Sequence, residues 1–339
     1  DNCAGNGKLL RESVLTMARA WKSGGFVEQA FLDWLEREEN VAFDSTMIDK
    51  ITPRPSEEIA RNLENMGVAD MQPVVTGKRT YIAPFANAER PQYLVIEDRF
   101  PNGRPALEKG FGVYLGDFET VRKSERMKVT VCLNPAHTAL GPLGVVLGQE
   151  RFADMLRDLP VTLKMARRVV FDEGMPVVPD PGILSPKAFA DEVFERFQNL
   201  YLGDTNLRLA TDASQGLSVR FGETIKSYVA KDGTASALVA IPLGIAGFFR
   251  YAMGLDDEGK PFELAPDPLV PEIHEALRRV KLGSPGSYRG ELRPYLSNES
   301  IFGIDLYKAG LGEKIESYFA EMIAGSGAAL RTIEKYIND

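Results

Sequence analysis

Histidine is scarce in this chain. Of 339 residues only His137 and His274 carry an imidazole, and they stand far apart. With no His-Glu-x-x-His and no Cys-x-x-Cys either, no metal centre is expected. Cysteine is as rare: Cys3 and Cys132 offer no disulfide framework and read as two free thiols of a reducing cytoplasm. Neither Gly-x-Gly-x-x-Gly nor Gly-x-x-x-x-Gly-Lys-Ser/Thr occurs, so residues that would hold a nucleotide cofactor stay unknown from motif alone. No apolar run approaches a membrane span. The richest, 235–249, is short and broken by Pro242, Gly244 and Gly247, so no membrane partner is expected. A net charge of -8 argues against a nucleic-acid-binding surface. Signal peptide and initiator methionine are also absent. The chain opens on Asp1-Asn2-Cys3, as if cut from something longer.

What remains is ordinary globular material, 44% hydrophobic and 26% charged, ample for a core and long enough for two domains. Helical spacing of apolar residues covers Leu9 to Leu35, interrupted at Gly24-Gly25. Val41 to Phe43 and Thr46 to Thr52 read as short strands, and Ser56-Glu57-Glu58 as a capped helix start. Tyr93 to Asp98 and Phe111 to Leu115 are buried-strand signals. Beyond residue 118 helical periodicity dominates, over 119–133, 136–148, 149–157, 160–173, 186–198, 204–213, 217–231, 235–254, 269–281 and 311–337. A boundary near residue 118 therefore separates a mixed α/β part, 1–118, from a helical part, 119–339.

Chemistry concentrates in Ser124 to His137, where a carboxylate, an amine, a carboxamide and an imidazole fall within fourteen residues. Moving a proton on and off a sugar oxygen needs a base, donors for the developing charge, and a relay to water. Four further stretches accompany it: Asp1-Asn2 with Asn6-Gly7, Ser45 to Pro53 (STMIDKITP), Val95 to Pro105 (VIEDRFPNGRP), and Ile301 to Leu306 (IFGIDL). In these five stretches, and in their order, the chain resembles the mannitol dehydrogenase / fructuronate reductase family, the polyol-specific long-chain dehydrogenases. The resemblance implies the α/β remainder of a dinucleotide-binding (Rossmann) domain followed by a mostly α-helical C-terminal domain, with the active site between them. It implies metal-independent, NAD- or NADP-dependent interconversion of a secondary alcohol and a ketone on a sugar alcohol or sugar acid. The family's glycine-rich first half would lie ahead of Asp1.

Lys128 matches the family's general acid/base. A lysine at its ordinary pKa of about 10.4 is a poor base at neutral pH and has to be lowered towards roughly 7–8 to serve. Asn134 and Asn2 match the pair that polarises the substrate oxygen; Asn134, followed by Pro135, also reads as a helix cap. Glu125, three residues before Lys128, matches a proton path to solvent. His137, Asp49, Arg208 and Arg220 match substrate-binding positions, the arginines through their fork of donors. His274 reads as surface. Three departures stand out, one being the Lys78 to Pro91 stretch, longer than the resemblance leads one to expect. The family often carries a lysine eight positions after the first arginine, where this chain has Gly216. Relative to the family's usual spacing one extra residue also lies between Lys128 and Asn134, which on a regular helix turns one group about 100° against the other, so either a bulge absorbs it or the lysine is not the matching residue.

The leading reading is an oxidoreductase of a ketose or keto-hexuronate. A non-catalytic helical interaction module, or an inactive fragment of such an enzyme, is the alternative motivated by the absent glycine turn. A two-domain hydroxyacid or phosphogluconate-type dehydrogenase shares the architecture but fits Val95 to Pro105 less well.

Overall fold

The computed structural model describes residues 3–52 and 57–338. Two compact units divide it, Asp1–Arg122 and Lys123–Asp339.

In the first unit, helix α1 (Asn6–Ser23) ends at Gly24, with Gly25 beyond it at φ 74, a left-handed turn that glycine enters without strain. Helix α2 (Gln29–Glu36) follows. Leu15, Ala18, Leu32 and Leu35 form their shared core, with Val14, Phe31, Val41 and Phe43 packed against it. Val41 to Phe43, expected as a strand, is irregular. Its backbone runs against α1 instead: a side chain at Gly7 would stand 2.3 Å from the Phe43 carbonyl oxygen. Strand β1 (Thr46–Asp49), helix α3 (Glu57–Asn65), a small hairpin of β2 (Val74–Val75) and β3 (Tyr81–Ile82), and strands β4 (Tyr93–Glu97) and β5 (Val113–Gly116) complete the unit. The hairpin was not expected; its two-residue strands are too short to show a period. Ser56, read as the cap of α3, lies outside the described residues. The main sheet has the order β1-β4-β5: β1 pairs antiparallel with β4 (Met47 opposite Val95), and β4 parallel with β5 (Val95 opposite Tyr114). Met47 and Val95 are fully buried, whereas Trp21 and Trp34 are 46% and 50% exposed.

Helix α4 (Phe118–Arg126) leads into the second unit, whose described residues form helices joined by turns and loops, with three isolated β-bridges. A π-turn, Met127–Cys132, joins α4 to α5 (Asn134–Val146); α6 (Phe152–Asp158) and α7 (Pro160–Arg167) follow. A second π-turn spans Arg168–Gly174, ahead of α8 (Pro186–Phe197) and the short α9 (Asn206–Ala210). The third, Ser218–Gly222, opens α10 (Glu223–Asp232). After α11 (Ala240–Ala252) come α12 (Val270–Ala276), the one-turn α13 (Arg293–Leu296) and α14 (Glu299–Phe302), then α15 (Gly312–Met322) and α16 (Ala328–Asn338). Residues 311–337, expected as one helix, are thus two. Gly327 at φ 70 breaks them, and the buried Asp257 carboxylate accepts from Ala329 N (2.8 Å) and Leu330 N (3.0 Å) to restart the second.

The core of this unit is the crossing of α5 and α11. A side chain at Gly244 would stand 2.7 Å from Ala139 Cβ, and one at Gly247 2.4 Å from Leu143 Cγ, so the glycines let the two helices approach this closely. Every residue of α11 is buried. Its N-terminal amides are held by Glu173 of the second π-turn, which accepts from Val239 (2.7 Å), Ala240 (2.6 Å) and Ile241 (2.8 Å). Burial raises the Glu173 carboxyl even against those three bonds. One expectation needs correcting. The continuous run Phe118–Val146 is long and apolar enough to cross a membrane by length and composition, with 78% of its most apolar window buried inside the protein. Lys128, Asn134 and Pro135 had masked the run in the sequence.

Candidate active site

Between Lys128 and Asn134 the backbone makes a π-turn. Leu133 N donates to Lys128 O at 3.1 Å, a five-residue step, so one residue is taken up without breaking the helical run. Lys128 sits on this turn and is only 8% exposed; Glu125, one turn earlier on α4, is half-buried. The turn packs against the π-turns of Arg168–Gly174 and Ser218–Gly222. Three widened turns therefore meet around the lysine's segment, and such turns occur often at functional sites.

Asn134 does not cap α5. Leu133 holds the cap position, no side chain caps the helix, and Pro135 follows within the first turn. The Asn134 Oδ1 is buried without a hydrogen-bond partner. A buried amide oxygen left unpaired costs about 1–3 kcal/mol.

His137, one turn along α5, lies edge-on to Phe152 (4.9 Å between centroids) and tilted against Phe197 (4.6 Å). Burial, then the positive charges of Arg208, Arg220 and Arg196, lower its imidazole to about 3. It is therefore neutral at working pH, with one nitrogen donating and one accepting. Arg208, on α9, is exposed and paired with Asp204. Arg220 is half-buried on the third π-turn, and its Nη1 donates to Thr138 Oγ1 at 2.9 Å. Cys132 closes the first π-turn; burial pushes its thiol up to about 12, so it is inert as a nucleophile. His274 is exposed, its Nδ1 2.8 Å from the Ala252 carbonyl.

In the first unit Asp49 ends β1 and is buried. Asn2 lies outside the described residues. A cleft of about 490 Å³ opens at the carboxyl ends of the parallel strands β4 and β5, lined by Glu97, Asp98, Arg99, Leu115 and Gly116 among others. Ligands of open α/β sheets bind at such ends. Sequence reasoning missed this cleft, and also Thr138, which only its contact with Arg220 reveals. Among the described residues no cluster of three or more His, Cys, Asp or Glu is placed to hold a metal ion.

Residues 120–323, the helical unit that holds Lys128, Asn134 and His137, match the mannitol dehydrogenase C-terminal domain. The chain belongs to the mannitol dehydrogenase family. It is 49% identical over 340 residues to a D-mannonate oxidoreductase of Thermotoga maritima, covering 99% of this chain and 62% of that protein. A mannitol 2-dehydrogenase of Aspergillus fumigatus is 30% identical over 346 residues, covering 100% of this chain and 61% of that protein. Among solved structures, mannitol 2-dehydrogenase of Pseudomonas fluorescens, in a ternary complex with NAD and D-mannitol, superposes with a TM-score of 0.71. At 23% identity, it covers 100% of this chain and 61% of that one. A D-sorbitol dehydrogenase in substrate-free form gives 0.72 at 26% identity, covering 96% and 60%. The chain thus spans about 62% of the length of the first of these relatives.

Proposed function

We propose that the full-length protein is an NAD(P)-dependent, metal-independent oxidoreductase that interconverts a sugar alcohol or sugar acid with its ketose or keto-acid. In this reading residues 1–118 are the later part of a Rossmann domain, and the cleft at β4 and β5 takes one end of the dinucleotide. It holds no glycine-rich turn for the pyrophosphate. The cofactor, when bound, exchanges hydride with the carbinol carbon.

The chain's own residues do the rest. Lys128 takes the hydroxyl proton as the alcohol is oxidised and returns it in reduction, and Glu125 passes that proton towards solvent. The Asn134 amide N–H, joined by Asn2, holds the oxygen while charge develops on it; a positioned donor of this kind is worth about 2.7–4 kcal/mol in the transition state. His137, neutral, bonds substrate hydroxyls, and Arg208, Arg220 and Asp49 fix the remainder of the sugar. The observation that carries the reading is that one helical run holds a buried lysine on a π-turn and, at the start of the next helix, a half-buried asparagine whose Oδ1 has no hydrogen-bond partner. The test is oxidation of NADH and NADPH by the full-length protein with fructose, fructuronate and tagaturonate. No turnover with any of them removes the assignment.

A further inference from the structure

Arg220 is unusually placed for a surface arginine. Its guanidinium lies across the face of Gly216, where a Cβ would stand 2.5 Å from Nε and 2.7 Å from Cζ. A side chain at 216 would therefore displace it. Thr138, fully buried, fixes the other end through the Nη1 bond. Among the described residues this is its only hydrogen bond, and no carboxylate pairs with it. The neighbouring arginine, Arg208, is by contrast neutralised by Asp204. A half-buried guanidinium that keeps most of its five donors uncommitted is costly to hold without an anion. Its π-turn packs against α5, which carries His137, and against the turn that carries Lys128. The imidazole of His137 feels Arg220, Arg208 and Arg196 as positive charges.

We propose that Arg220, seated in the space Gly216 leaves open, is the specificity-determining residue of this site and binds the terminal carboxylate of a sugar acid, so that the enzyme selects keto-hexuronates over neutral ketoses. The proposal deepens the reading above and rests on it. Guanidinium fork and carboxylate match in charge and in bidentate geometry, whereas a hydroxymethyl group would leave the charge uncompensated.

The test uses the full-length protein and two substrates that differ at one end, D-fructuronate and D-fructose, with NADH and NADPH. The wild type prefers the acid, and Arg220→Met lowers the ratio of the two kcat/KM values by about 100-fold, chiefly through KM for the acid. Arg220→Lys, which keeps charge but not the fork, falls between. Gly216→Leu lowers the ratio as well, by displacing the guanidinium. Equal loss on both substrates, or a wild-type preference for fructose, overturns the proposal while leaving the oxidoreductase reading intact. Should the wild type turn over neither substrate, that reading fails, and calorimetric binding of D-mannonate decides instead. Binding abolished in Arg220→Met and retained in part in Arg220→Lys upholds the carboxylate site; no binding to the wild type, or equal binding to all three, sinks it. If the methionine variant does not fold, the lysine variant carries the test alone: an unchanged ratio overturns the proposal.

Discussion

At the residue scale, Lys128 bears the heaviest demand. Replacing it by alanine should lower turnover by several orders of magnitude, since both the proton acceptor and its charge are lost. Far-UV circular dichroism should stay unchanged. An undiminished rate in a folded variant would strip the lysine of its role. His137 makes a separate prediction. Its imidazole titrates near 3 in the folded chain, against an ordinary 6.5, so the unfolded chain binds more protons between those values. Stability is complete above about pH 6.5 and declines as pH falls towards 3. Denaturant melts at pH 7 and pH 5 should show that loss in the wild type and a smaller one in His137→Gln. These two side chains stand out in the sequence because their types and spacing are unusual in so histidine-poor a chain. Thr138 and Gly216 were not. A threonine beside a histidine and a glycine in a loop carry no local signal; only the path of Arg220 gives them meaning.

At the scale of elements, the π-turn of Met127–Cys132 was the consequential one. The resemblance asked for a bulge there or another lysine, because one residue more than the family's usual count separates Lys128 from Asn134. The turns at Arg168–Gly174 and Ser218–Gly222 had no such markers and read as plain helix. Asn134-Pro135 misled in the other direction, since a favoured cap pair stands one position inside the helix. Two variants probe these elements. Glu173→Ala strips three amides at the start of α11 of their acceptor and should cost about 3 kcal/mol or more in urea unfolding; Glu173→Gln, keeping one acceptor oxygen, should cost less. Gly222→Ala sets a Cβ 1.9 Å from the Phe302 carbonyl oxygen. The crowding should lower stability by about 1–3 kcal/mol, and because Gly222 shares a turn with Arg220, activity should drop with it.

At the scale of the whole molecule, the change from mixed to helical texture near residue 118 was visible as a change of period, and the two compact units part a few residues later, after Arg122. Invisible in the sequence was how thinly the first unit is packed. Its short strands and three helices bury few large side chains, and both of the chain's tryptophans stand there half in water. Indole emission is therefore a private optical reporter of that one unit, already red-shifted in the native state and silent about the other. Ellipticity, dominated by the helices after Lys123, follows the second. Recorded together during a melt, the two signals should part company, with fluorescence moving first; superimposable curves would mean that the halves give way as one.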